Sequence, residues 1–250
     1  MQSAQFTDFV RHAEGVRILF VNDGSRDNTL ATLEEMRDIC QDHIQILDLV
    51  ENVGKAEAVR IGMVTAMKQH DVSYIGFWDA DLATPLAALP EFVDLLVHND
   101  RLQMVFGARI RLLGRSVHRR AVRHYLGRVF ASVVSLVLGL PIYDTQCGAK
   151  LFRLTPELAE GLSSPFLSRW VFDVEILARF IALHRGNSSY LHDSIYEFPL
   201  TQWTDVAGSK VRPVDFFRAF VDVFRIYLRY LSPIPRLYSS QVHLHPRQLD

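Results

Sequence analysis

Tyr74-Ile75-Gly76-Phe77-Trp78-Asp79-Ala80-Asp81-Leu82 is the stretch that decides how this chain reads. Five mostly apolar residues run into two carboxylates, one residue apart. A short run of aromatic and β-branched residues with polar flanks predicts a buried strand. Side chains two apart on a strand share a face, so Asp79 and Asp81 are expected to converge at its carboxyl end. In an open α/β sheet, ligands bind at that end. Two carboxylates held together repel, and a cation or a shared proton must relieve them. A hard divalent cation bridging phosphate oxygens suits that role. Pro85 then turns the chain. A bare Asp-x-Asp also fits a solvated loop, so the flanking sequence has to carry the decision.

Working outward, Phe6 to His12 can form a short helix, and Arg17 to Val21 reads as a strand. That strand runs into Asn22-Asp23-Gly24-Ser25-Arg26-Asp27-Asn28-Thr29, a dense turn cluster. Asp27 or Asn28 can cap a helix over Leu30 to Ile39. A strand over Ile44 to Leu49 follows, then the turn Asn52-Val53-Gly54-Lys55 and a helix over Ala56 to Lys68 with Val59, Met63 and Met67 on one stripe. Beyond the two aspartates come a helix near Pro90 to His98 and a strand over Met104 to Ala108. Strand and helix alternate, which predicts an α/β fold: a doubly wound, mostly parallel sheet with helices on both faces.

The second half changes character. Arg109 to Arg128 is strongly basic, and Val129 to Ile142 is apolar. Asp144 to Lys150 forms a polar knot before the strand-like Leu151-Phe152-Arg153. Trp170 to Glu175 opens a helix reaching about Leu183, and Ile195 to Pro199 reads as a late strand. Phe216 to Leu231 mixes aromatics with Arg218, Arg225 and Arg229 on a helical period. The expected organisation is one domain over residues 1–212 and a C-terminal amphipathic helix with its tail over 213–250.

A chain of 250 residues with 49% hydrophobic content suits one large domain. The formal net charge of -1 gives no pull toward nucleic acid, which is excluded as a partner. Cys40 and Cys147 lie far apart without metal-type spacing, which fits a reducing compartment. Met1 to Glu14 lacks the apolar core of a signal peptide. The longest apolar stretch falls short of the roughly 20 residues that span a bilayer. The expectation is a cytoplasmic protein, soluble or peripheral on the cytoplasmic face of a membrane.

Six motifs then stand in register: Val21 to Thr29, Asn52-Val53-Gly54-Lys55, Asp79-Ala80-Asp81-Leu82, Gly107-Ala108-Arg109, Asp144 to Phe152, and Phe172-Asp173-Val174-Glu175. Together they resemble the family 2 glycosyltransferases of GT-A fold, and within these the polyprenyl- or dolichyl-phosphate hexosyltransferases. The resemblance runs from about Phe6 to Lys210. Two departures stand out. Such enzymes begin with a strand ending in a Pro-x-x-Asn-Glu-like segment that lines the nucleotide pocket, whereas this chain starts with what reads as the following helix; the usual N-terminal strand reads as absent, so either the chain begins late relative to the ancestral protein or its nucleotide pocket is incomplete. Ala83 stands where family members often carry Gln or Ser.

The resemblance implies an inverting, metal-dependent transfer of a hexose from a UDP- or GDP-sugar to a polyprenyl (dolichyl-type) phosphate. It implies Mg²⁺ or Mn²⁺ at Asp79 and Asp81, with Asp81, Asp144, Asp173 and Arg109 carrying the catalysis. Asp23, Ser25, Asp27, Lys55 and Asp79 would bind the nucleotide sugar. Asp23 could accept from a nucleobase N–H or simply tie the turn, Asp27 could equally cap its helix, and Lys55 opens a helix near where phosphate charge could lie. Arg109 and Arg120 suit phosphate, which Arg binds bidentately. Lys210 could hold the acceptor phosphate. Asp144, Asp173 and Glu175 are the acceptor-side carboxylates. A hydroxyl acceptor needs a general base, whereas a phosphate monoester, with a second pKa of about 6, needs orientation more than deprotonation. The stretches Val129 to Leu140 and Phe216 to Leu231 could lie in a membrane interface or pack on the sheet. Two further readings stay open: a same-fold transferase with a soluble or glycan acceptor, and a non-catalytic remnant that binds a membrane or a partner.

Overall fold

The computed structural model describes residues 2–69, 71–110, 116–118, 121–204 and 213–232. Helix α1 (Ser3–His12) precedes β1 (Ile18–Asp23), α2 (Thr29–Ile39), β2 (Ile44–Leu49), α3 (Lys55–Met67) and β3 (Tyr74–Trp78). A 3₁₀ turn (Leu86–Ala88) leads into α4 (Leu89–His98), β4 (Met104–Ala108), β5 (Ser116–His118) and α5 (Ala121–Leu138). The last part holds β6 (Ala149–Arg153), α6 (Pro156–Gly161), α7 (Phe172–Leu183), α8 (Ser189–Ser194), β7 (Ile195–Pro199), β8 (Gln202–Thr204) and α9 (Pro213–Ile226), which ends in a π-helical turn (Tyr227–Leu231).

The described strands pair as β1-β2, as β3-β6-β4-β7 and as β5-β8. The pairings β1·β2, β4·β7 and β5·β8 are parallel, as strand–helix alternation predicts. Strand β6 is the exception and runs antiparallel to both neighbours, with Trp78 opposite Ala149 and Met104 opposite Phe152. The crossover through α4 leaves β3 and β4 parallel with one strand width between them, and β6 fills that gap from the other direction. Among the described strands no backbone pairing joins β1 to β3; α3 packs on both and bridges them.

Alternation along the four-stranded sheet divides the core. Ile75, Met104, Phe106 and Phe152 face α3, α5 and α7, whose Met63, Val134, Phe172 and Leu177 bury against them. Val105, Ala149 and Leu151 face the other way, onto Phe92 and Leu96 of α4. A third cluster joins Phe6 and Val10 of α1 to Phe20, Leu33, Met36 and Leu82. The α/β class with helices on both faces therefore stands.

Helix α9 is part of the main core. Val223 and Ile226 are buried with α7, and the Phe220 ring meets Phe130 of α5 edge-on at 5.5 Å. Its opposite side leaves Phe217, Val221, Phe224 and Leu228 exposed, one stripe at spacings of three and four. No described helix is long and apolar enough to cross a membrane.

Candidate active site

Strand β3 stops at Trp78, so Asp79 and Asp81 lie on the turn that follows it, and not on the strand itself as the spacing predicts. The turn is tied down at each step. Asp79 N–H donates to the Gly148 carbonyl at 2.7 Å, and Leu82 N–H donates back to the Asp79 carbonyl at 3.1 Å. Asp81 Oδ1 accepts from Ala83 N–H at 3.0 Å, and the Trp78 indole N–H reaches the Thr84 carbonyl at 2.8 Å. Both carboxylates face one cavity of about 580 Å³. Asp79 rests against Gly148, where a Cβ would stand 2.0 Å from its Oδ2. Lys55, at the start of α3, brings Nζ to 2.6 Å from Asp79 Oδ1.

A second pair of carboxylates lines the same cavity from its buried side. Asp144 takes Arg109 Nε at 2.6 Å and Nη2 at 2.7 Å, together with the Arg109 backbone N–H at 3.1 Å. Burial works against the guanidinium charge, but Asp144 outweighs it and holds Arg109 above its ordinary value. Glu197 of β7 fixes this loop from behind, accepting Tyr143 and Asp144 N–H at 2.7 Å each. Asp173, on the first turn of α7, pairs with Lys150, and its second oxygen accepts from Gln146 Nε2 at 3.4 Å. Burial pushes the Asp173 carboxyl up, against the pull of Lys150. The guanidinium of Arg128 stacks on Tyr143 at 3.8 Å, and Cys147 lies buried beside Thr84, its thiol pushed up by burial. Both buried acids are thus already matched to cations. Each is held in place as one half of an ion pair.

Of the residues singled out from sequence, the cavity gathers Lys55, Asp79, Asp81, Arg109, Asp144 and Asp173. It does not reach Asp23, Ser25 or Asp27. Asp23 spends both oxygens on the N–H groups of Val53 and Gly54, at 2.7 and 3.0 Å, tying two turns together. Ser25 N–H donates to Asn22 Oδ1, and Asp27 accepts from Thr29 N–H; the Thr29 hydroxyl first and its N–H second hold the Asp27 carboxyl below the usual value. Arg120 and Lys210 lie outside the described residues. Glu175 is a correction. It is wholly buried and bound by Arg179, Tyr230 and the N–H groups of Leu167 and Ser168, so it takes no part in acceptor chemistry.

That network has a use. Ser168 Oγ accepts the N–H groups of Trp170 and Val171 and donates to Asp222 of α9. The segment between α6 and α7 is pinned by these hydrogen bonds, and it presents Arg169 and Trp170 to the cavity. Sequence reading passes over Arg169; its place beside the Phe172-Asp173 motif is the signal that could have found it. On the side of α5 and α9 the lining turns apolar, with Phe130, Ala131, Phe216 and Ala219. Asp79 and Asp81 are the residues that could hold a metal. Magnesium is commonly held by one or two carboxylates, with phosphate and water completing the shell, and that donor set fits these two side chains on an open wall.

Residues 5–157 match the family described as Glycosyl transferase family 2. The chain belongs to this family. Its GT-A architecture and its activity as a glycosyltransferase follow from that membership. Among relatives, the chain is 31% identical over 238 residues to a dolichyl-phosphate beta-glucosyltransferase of Drosophila melanogaster, covering 90% of this chain and 67% of that protein. It is 30% identical to the Homo sapiens protein of the same name, with the same coverage. A Saccharomyces cerevisiae protein of that name is 28% identical over 91% of this chain and 70% of its own length.

Proposed function

We propose that this glycosyltransferase moves a hexose, glucose by analogy with its relatives' names, from a UDP- or GDP-sugar to a polyprenyl phosphate of dolichyl type, with inversion at the anomeric carbon. The observation that carries this reading is the composition of one cavity. Its carboxylate end, Asp79 and Asp81, suits a diphosphate with its cation, and its α5–α9 wall, Phe130, Ala131, Phe216 and Ala219, suits an isoprenoid. The acceptor phosphate oxygen attacks the anomeric carbon from the side away from the diphosphate. The bond from that carbon to the donor oxygen breaks, and the nucleoside diphosphate leaves with the electron pair. A phosphate acceptor is largely dianionic at neutral pH and needs no base. This agrees with buried acids that are both ion-paired. Arg169 supplies positive charge for the phosphates, Arg109 holds Asp144 in place, and Asp173, which can only accept, meets a hydroxyl of the hexose. Mg²⁺ or Mn²⁺ held by Asp79 and Asp81 would neutralise charge on the departing diphosphate.

The exposed stripe of α9, flanked by Arg218, Arg225 and Arg229, gives this face the chemistry of a membrane interface. The test incubates purified protein with Mg²⁺, dolichyl phosphate in liposomes and UDP-glucose or GDP-mannose. Release of the nucleoside diphosphate that depends on the lipid, with protein sedimenting with the liposomes, is the expected result. Release that needs no lipid phosphate, with protein left in the supernatant, would favour a soluble acceptor. No release with any common nucleotide sugar would overturn the reading.

A further inference from the structure

We propose that Lys150 is a positioning residue for glycosyl transfer: its buried ammonium aims Asp173 into the cavity and locks the Asp144–Gly148 loop beneath Asp79. The inference rests on the reading of this cavity as the site of transfer to a phosphate. Lys150 lies on β6, opposite Phe77 of β3 and Phe106 of β4, and is 1% exposed. Its side chain points to the face of the sheet that packs on α7. An ammonium has three N–H donors and no acceptor. All three are spent here, on the carbonyls of Thr145 and Cys147, at 2.8 Å each, and on Asp173 Oδ1. None is left for a ligand, so Lys150 acts through the groups it holds.

Charge this deeply buried is costly, and an apolar side chain of similar volume commonly serves packing as well or better. The neighbours on this face are apolar, with the Phe77 and Phe106 rings centred 5.2 and 5.1 Å from the ammonium. Aromatic faces at that distance favour a cation without demanding one, whereas the geometry of its partners calls for three donors. Fixing the carbonyls of Thr145 and Cys147 sets the peptide planes of the loop. That loop supplies the Gly148 carbonyl to Asp79 N–H and carries Gln146, which meets the second oxygen of Asp173. One buried cation thus sets the register between Asp173 and the floor beneath Asp79.

The test uses the full chain, in the liposome assay above, as Lys150→Met, Asp173→Asn and the double variant. Lys150→Met is expected to lower kcat about 10²-fold, the cost of a small misplacement of reacting groups, with the KM of the nucleotide sugar changed by less than about threefold. The double variant should be no slower than Asp173→Asn alone, because the two residues act as one unit. If the losses multiply, or if Lys150→Met unfolds at lower temperature while turnover per folded molecule is kept, the proposal is overturned. Should Lys150→Met fail to fold, the double variant removes both charges and leaves no buried orphan charge, and its comparison with Asp173→Asn still decides. Amide hydrogen exchange gives a readout without turnover: Lys150→Met should speed exchange at residues 144–148 and in the first turn of α7 above the rest of the chain. Unchanged exchange there would also sink the proposal. Absence of lipid-phosphate transfer by the wild type would overturn the proposed function and leave exchange to judge Lys150.

Discussion

Asp79 and Asp81 differ from Asp144 and Asp173 in what holds them, although all four reach the same cavity. The Asp79 side chain is 34% exposed, and its ion-pair partner Lys55 is 53% exposed. The Asp144 and Asp173 side chains are each 7% exposed, against cations that are 14% exposed at Arg109 and 1% at Lys150. An ion pair in water is weak and exchangeable, whereas a buried one cannot lose a member without leaving an orphan charge. Acids that the protein neutralises with its own buried cations give the cavity its shape. Acids left open to solvent are, on the proposed reading, the ones that would take up a cation arriving with the substrate.

This contrast can be broken at either end. The largest effect belongs to Arg109→Leu, which strands Asp144 and should cost about 3–5 kcal/mol in urea denaturation. A loss below about 1 kcal/mol would mean that the buried pair is no more committed than the open one. Asp81→Asn should do the reverse, lowering kcat/KM about 10²–10³-fold while stability stays within about 0.5 kcal/mol of wild type. Unfolding of this variant would assign Asp81 to the framework. Lys55→Met sharpens the picture further. Steady-state kinetics should show the KM for the nucleotide sugar raised about tenfold, equivalent to about 1.4 kcal/mol, while stability falls by less than about 1 kcal/mol.

The smallest effect concerns Glu197, behind the buried pair. Burial pushes its carboxyl up, against the Asp144 and Tyr143 N–H groups that favour its charge. Between the unfolded value and this higher folded value, the native state holds more protons than the unfolded chain. Stability must therefore fall as pH rises through that window, and the deficit is complete above it. Glu197→Gln should flatten this part of a stability-against-pH curve. An unchanged slope would show that Glu197 is not the group responsible.

Most elements were legible because their signals are local. The apolar run before Asp79, the turn cluster after Val21 and the stripes of α2 and α3 each specify structure from neighbours in sequence. The direction of β6 was not legible, since its residues read as a strand whichever way they run and only the returning α5 decides. The tie from Asp23 to Val53 and Gly54 joins distant turns, and nothing near Asp23 announces it. Glu175 could have been set apart from Asp173 without any structure. Two positions apart on a helix turn about 200°, so one residue facing a cavity puts the other at its back. Lys150 stood in a recognised motif, but its purpose shows only once three elements close around it.

Gly148 has one more consequence. The Asp79 carboxylate occupies the volume that any side chain at position 148 would claim, with a Cβ falling 2.1 Å from Asp79 Cγ. Even a methyl group there would evict the acid or force the loop outward. Room for the carboxylate has been made by subtraction, and a substitution at position 148 would be felt first as a displaced Asp79.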